Sequence, residues 1–129
     1  MRQIGEEDLA RAVVESSGGA ASLAPRTTLD QLMALLRSAA LVISGDTGPI
    51  HMAAAAGAPI VGLYGPTDPA RNGPWAAADV DVCVSRFSEC ICHHKRRCHR
   101  ATRCLDDIPV EDVLAAAGRR LDRAVGKGA

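Results

Sequence analysis

The segment from Leu41 to Pro69 constrains this chain more than any other. An apolar run ends in Ser44-Gly45-Asp46-Thr47-Gly48-Pro49, and an Ala-rich stretch follows His51. A second apolar run from Pro59 to Leu63 then leads into Gly65-Pro66-Thr67-Asp68-Pro69. The order predicts strand, tight turn, helix, strand and loop. Pro49 suits the first turn of that helix. Asp46, Thr47 and His51 stand where the first strand gives way to the helix N-terminus. Unpaired amides and the positive end of the helix dipole make such a junction an anion site.

The flanking sequence extends the same alternation. Glu6-Glu7-Asp8 precedes Leu9, Ala10, Val13 and Val14 at helical spacing, and Ser17-Gly18-Gly19 ends that helix. Residues 20–24 are a short strand candidate. Thr28 is the expected N-cap of a helix bearing Leu29, Leu32, Met33, Leu35 and Leu36. Residues 70–79 read as loop and Val80 to Val84 as a last strand. Pro109 opens a final amphipathic helix with Val110, Val113, Leu114 and Leu121. The expectation is an α/β domain: right-handed βαβ units, a mainly parallel sheet of four short strands and flanking helices, of Rossmann-like type. The chain opens on what reads as a βα loop without its strand, so a fragment of a doubly wound sheet is expected, or a chain whose sheet edge is completed by something else.

Composition narrows the function classes. Lys plus Arg equals Asp plus Glu at 15 each among 129 residues, so no global charge draws the chain to nucleic acid. Residues 86–103 carry six Lys/Arg against Glu89 alone, a local patch of +5. No apolar run approaches the roughly 20 residues of a membrane span, and no signal peptide is legible. A cytoplasmic protein is the expectation. Five cysteines are then thiols or metal ligands rather than disulfides. Cys90, Cys92, Cys98 and Cys104, with His93, His94 and His99 among them, offer donor sets for a structural zinc, although C-x-C is a poor bite for one metal. The same basic Cys/His stretch admits a zinc-stabilised nucleic-acid module as an alternative function, one in which the Asp46–Gly48 turn has no role.

Asp46-Thr-Gly-Pro-Ile-His51, Ala53 to Gly57, Pro59 and Gly65-Pro-Thr-Asp-Pro69 resemble the signature of glycosyltransferase family nine, the ADP-heptose:lipopolysaccharide heptosyltransferases. Thr28-Leu29, and Cys104-Leu105 followed by Ile108-Pro109 and Glu111, agree with it. The likeness runs from about Gly5 to Leu121. It implies the donor-binding, C-terminal domain of a GT-B enzyme, with residues 1–129 forming a single incomplete nucleotide-sugar-binding domain and residues 85–104 a Cys/His-rich basic loop within it. It also implies a catalytic Asp on a separate N-terminal domain, or on a partner chain, and a phosphate-binding Lys early in the C-terminal domain. Neither has a counterpart in this sequence.

The implied reaction is transfer of a heptose from ADP-heptose, with inversion and without a required cofactor, to a lipopolysaccharide inner-core acceptor. The enzyme would be peripheral to the inner membrane and would have no nucleic-acid partner. The alternative within the same likeness is a fragment that binds a nucleotide sugar without catalysis.

Each implied site residue has an ordinary structural role open to it. Asp46, Thr47 and Gly48 would hold the donor's phosphates and sugar, or Asp46 and Thr47 cap the helix. His51 would reach the diphosphate, or pack in the Ala-rich interior. Glu7 would take the ribose hydroxyls, or stabilise a helix start. Backbone contacts from Thr27 to an adenine fit the loop before Thr28. Thr67 and Asp68 would line the cleft, or shape a turn.

Overall fold

The computed structural model describes residues 5–74, 83–92 and 101–126. The start of the last expected strand, Cys98, His93, His94, His99 and most of the basic run lie outside the described residues. The elements are α1 (Glu6–Ser16), α2 (Leu29–Ser38), β1 (Val42–Gly45), α3 (Gly48–Ala55), β2 (Ile60–Tyr64), α4 (Pro69–Asn72), β3 (Cys83–Ser85) and α5 (Val110–Gly126), with a 3-10 turn at Phe87–Glu89.

The helix starts follow local chemistry. The backbone N–H of Gly5 donates to Asp8 Oδ2 at 3.2 Å ahead of α1. Thr28 caps α2 reciprocally: Gln31 N donates to Thr28 Oγ1 at 3.3 Å, and Thr28 N to Gln31 Oε1 at 2.9 Å. α3 ends in a Schellman turn. Ala58 N donates to Ala53 O and Gly57 N to Ala54 O, both at 3.0 Å, with Gly57 at φ +77°. Pro59 then cannot continue the helix and feeds β2.

Among the described residues the sheet is three-stranded and parallel, in the order β1-β2-β3. Val42 pairs with Ile60 and Gly45 with Leu63, while Tyr64 pairs with Ser85. The C-terminal ends of all three strands therefore share one edge.

α3 packs on β1 and β2, α2 packs on α3, and α5 packs on β2 and β3. Leu36, Ile50, Ala53, Ala58 and Ile60 form the main core. Gly62 is the close-approach point: a Cβ there would lie 2.7 Å from Ile50 Cδ1 and 2.7 Å from Tyr64 Cε2. Side chains alternate across a strand, so Val61, fully buried, faces away from Ile60 and Gly62.

Two elements differ from the sequence reading. Residues 20–24 form no strand: Leu23 is 47% exposed, and among the described residues the stretch has no ladder partner. Ala20, Ala21, Leu23 and Ala24 supply apolar side chains, but a strand exists only where a neighbour takes its N–H and C=O groups. Within the expected 70–79 loop, Pro69–Asn72 closes a helical turn, because Asp68 Oδ1 accepts from Ala70 N at 2.9 Å and Pro69 stands at the first helical position. Residues 75–79 of that loop lie outside the described residues.

Candidate functional site

The β1–α3 junction opens on the C-terminal edge of the sheet, where ligands of open parallel α/β sheets bind. Val-Ile-Ser carries the chain to that edge. Gly45 and Asp46 turn it, and Thr47 enters α3 with φ −142° and ψ 170°. Among the described residues no side chain caps α3, and the Thr47 hydroxyl at its N-cap makes no cap bond. The expected alternative, in which Asp46 and Thr47 serve as its caps, is not what these residues do.

They instead face one another and their neighbours. Asp46 Oδ1 lies 3.6 Å from His51 Nε2, with the Asp46 side chain 20% exposed and that of His51 47% exposed. His51 is thus at the mouth of the junction, not packed in the Ala-rich interior. Ser44 Oγ donates to Gly45 O at 3.1 Å and stands 3.4 Å from Thr47 Oγ1, which itself reaches Gly45 O at 3.4 Å. Gly48 is exposed, with open space where a Cβ would stand. The junction therefore presents the first turn of an uncapped eight-residue helix, a carboxylate–imidazole pair and a hydroxyl pair. Such a set can donate to phosphate oxygens and accept from sugar hydroxyls.

The loop after β2 leaves the same edge one strand over. A Cβ on Gly65 would come within 3.2 Å of Leu105 N, so Leu105 backs this loop closely. Thr67 and Asp68 are half-buried, and the Asp68 carboxylate is engaged as the α4 cap.

Glu7 lies on α1, which buries none of its residues, and pairs with Arg11 at 2.7 Å as a surface i,i+4 pair. Thr27 is exposed just ahead of the α2 cap. Asp46, Thr47, Gly48 and His51 are thus brought together on one turn, with Thr67 and Asp68 on the neighbouring loop. Ser44 joins them from the end of β1; it is not among the residues the sequence marks, and its one signal there is a hydroxyl at the strand end before Gly-Asp-Thr.

Cys90, Cys92 and Cys104 converge into a second buried cluster, each 3% exposed. Cys98, the fourth thiol of the expected zinc set, lies outside the described residues. Among the described residues, no group of three or more His, Cys, Asp or Glu side chains is arranged to hold a metal ion. Arg86 ties this region to the last helix: its guanidinium lies 3.3 Å from Asp112, 3.4 Å from Glu89 and 3.4 Å from the Asp107 carbonyl.

A parallel α/β sheet with a Gly-Asp-Thr-Gly-Pro strand-to-helix turn at its C-terminal edge defines the class: a domain shaped like those that hold nucleotide ligands. Residues 2–101 match glycosyltransferase family 9 (heptosyltransferase), and the chain belongs to that family. It is 33% identical over 99 residues to lipopolysaccharide heptosyltransferase 3 of Escherichia coli K12, covering 77% of this chain and 28% of that protein. It is 41% identical over 68 residues to the lipopolysaccharide core heptosyltransferase OpsX of Haemophilus influenzae, covering 53% of this chain and 19% of that protein. Lipopolysaccharide heptosyltransferase 2 of E. coli K12 is 37% identical over 72 residues, or 56% of this chain and 21% of that protein. The chain thus spans less than a third of these relatives' length. No solved structure matches.

Proposed function

We propose that this chain is the donor-binding part of a heptosyltransferase, which transfers a heptose from ADP-heptose to a lipopolysaccharide core acceptor with inversion at the anomeric carbon. The observation that carries the reading is the uncapped N-terminus of α3 beside the Asp46–His51 pair, in a chain of this family. A diphosphate would accept from the amides of that turn, from the Thr47 hydroxyl and from His51. Asp46 would accept from sugar hydroxyls, Glu7 from the ribose, and Thr27 would meet the base through its backbone.

In the transfer, a carboxylate from the other domain takes the proton of the acceptor hydroxyl. The acceptor oxygen forms its bond to the anomeric carbon as the bond from that carbon to the diphosphate oxygen breaks. The electron pair leaves with the nucleoside diphosphate. Donors fixed in place around the developing negative charge stabilise it without reorganising. Zinc held by the cysteines would be structural in this scheme.

The proposed acceptor is phosphorylated and carried on an anionic membrane, which the basic stretch of residues 86–103 complements. This puts the work at the cytoplasmic side of the inner membrane. Among the described residues no helix is long and apolar enough to cross it.

Isothermal titration of this chain with ADP and with ADP-heptose tests the reading. Binding of both is the expected result, with Thr47→Ala weakening both. No binding of either, or equal binding by Thr47→Ala, overturns it.

A further inference from the structure

We infer that Ser44 is a positioning residue for the donor diphosphate, acting through the hydroxyl of Thr47. The inference rests on the reading of the β1–α3 junction as the diphosphate site.

Thr47 stands at the N-cap position of α3, yet its hydroxyl caps nothing. It is held instead by β1: Thr47 Oγ1 is 3.4 Å from Ser44 Oγ and 3.4 Å from Gly45 O. Ser44 Oγ also donates to Gly45 O at 3.1 Å. One carbonyl oxygen, with two lone pairs, thus anchors both hydroxyls.

Each hydroxyl has one hydrogen and can still accept. In the free junction both hydrogens turn inward to Gly45 O. When a phosphate oxygen arrives, Thr47 turns its hydrogen outward to donate. That leaves its oxygen as an acceptor facing Ser44, and Ser44 rotates its hydrogen from Gly45 O onto Thr47 Oγ1. The Thr47 hydroxyl then donates outward while accepting from behind, and chained hydrogen bonds of this kind polarise and strengthen one another. Ser44 sits half-buried on a strand, while Thr47 is exposed on the turn. Ser44 therefore supports the contact without touching the ligand.

The test is a double-mutant cycle on this chain, with ADP as the probe and titration calorimetry as the readout. Ser44→Ala weakens ADP binding by about fivefold, the loss of one neutral hydrogen bond's net contribution. Thr47→Ala weakens it by about tenfold, a contact to a charged oxygen. The double variant binds like Thr47→Ala alone, because Ser44 has nothing left to position. Ser44→Thr, which keeps the hydroxyl on a β-favouring residue, restores wild-type affinity. Unchanged thermal midpoints across the set exclude a folding origin, and the Thr rescue holds even where Ser44→Ala lowers stability. A silent Ser44→Ala beside a weakened Thr47→Ala overturns this inference and leaves the diphosphate site standing. Additive losses in the double variant overturn it in the same way, since Ser44 would then act independently. A silent Thr47→Ala overturns both.

Discussion

Asp46 and His51 face each other across the first turn of α3, Oδ1 to Nε2 at 3.6 Å. Their separation of five residues carries one from the loop onto the helix, so the turn itself sets the pair's geometry. The carboxylate is mostly covered and the imidazole half open, with 20% and 47% of the side chains exposed. The proposed complex gives them different partners: His51 would meet the diphosphate, and Asp46 would accept from the sugar while steadying the ring.

Two titrations separate those roles. His51→Ala weakens ADP and ADP-heptose alike, by about tenfold each, the usual effect of losing a hydrogen bond to a charged group. Asp46→Ala leaves ADP within about threefold of wild type but weakens ADP-heptose by about tenfold or more, because the lost acceptor served hydroxyls that only the sugar carries. Equal losses for the two ligands in Asp46→Ala would remove the sugar contact from the proposal.

Two glycines in the β1–α3–β2 unit predict opposite rescue behaviour. At Gly62 a Cβ would stand 2.7 Å from both Ile50 Cδ1 and Tyr64 Cε2, and both of those residues are fully buried. Gly62→Ala therefore overpacks the interior and costs about 1–3 kcal/mol in urea unfolding. Adding Ile50→Val removes the colliding methyl, so the pair loses less than the sum of its parts. At Gly57 a Cβ meets nothing within 4 Å, but φ is +77°. Gly57→Ala costs about 1–2 kcal/mol through backbone conformation alone, and Gly57→Asn costs less because Asn tolerates the left-handed region. No change at a neighbouring side chain should rescue Gly57→Ala.

Much of this arrangement is legible in the sequence because it is local. The β1–α3–β2 order, the Thr28 cap and the start of α5 follow from periodicity, Pro position and capping chemistry within a few residues. What was not legible depends on distant partners. The 20–24 stretch has a strand's apolar content but no ladder partner among the described residues. The close approach of Gly62 to Ile50 is set by how α3 lies on the sheet. Spacing counts the thiols of Cys90, Cys92 and Cys104 but says nothing of their convergence. The one-turn helix after Asp68 has a local signal in Asp-Pro, but four residues are too few for a helical period to show against the loop-like composition around them. At the site, the family signature marked Asp46, Thr47, Gly48 and His51. The Ser44–Thr47 contact needed coordinates, because two hydroxyls three residues apart meet only when the chain turns between them.

The cysteine cluster predicts a labelling pattern. Cys90, Cys92 and Cys104 are each 3% exposed, and alkylation needs an accessible thiolate. In the native chain the peptides carrying these residues should resist iodoacetamide and become labelled as urea unfolds the protein, read by mass spectrometry. Labelling of the Cys90–Cys92 peptide at the rate of a small free thiol would contradict the burial. Zinc analysis of the same sample tests the metal expectation for Cys90, Cys92, Cys98 and Cys104. A structural site requires one ion per chain, with thiol protection lost on chelation.

Gly65 links that cluster to the proposed donor cleft. A Cβ at this position would lie 3.2 Å from Leu105 N and 3.4 Å from Leu105 Cβ. Leu105 follows Cys104, whose burial leaves the backbone little room to retreat. In Gly65→Ala the loop must therefore yield instead, displacing Thr67 and the Asp68 carboxylate that holds the first turn of α4. Stability should fall by about 1 kcal/mol, the low end of overpacking costs. If Thr67 lines the cleft, ADP-heptose binding should weaken severalfold in Gly65→Ala and by a similar factor in Thr67→Ala. Pro66→Ala, in the exposed middle of the same loop, is the comparison that leaves the Leu105 contact intact. Lower stability with unchanged binding in Gly65→Ala would confine the loop to a structural role. A Gly65→Ala protein matching wild type in both measurements would mean that Leu105 does not clamp the loop.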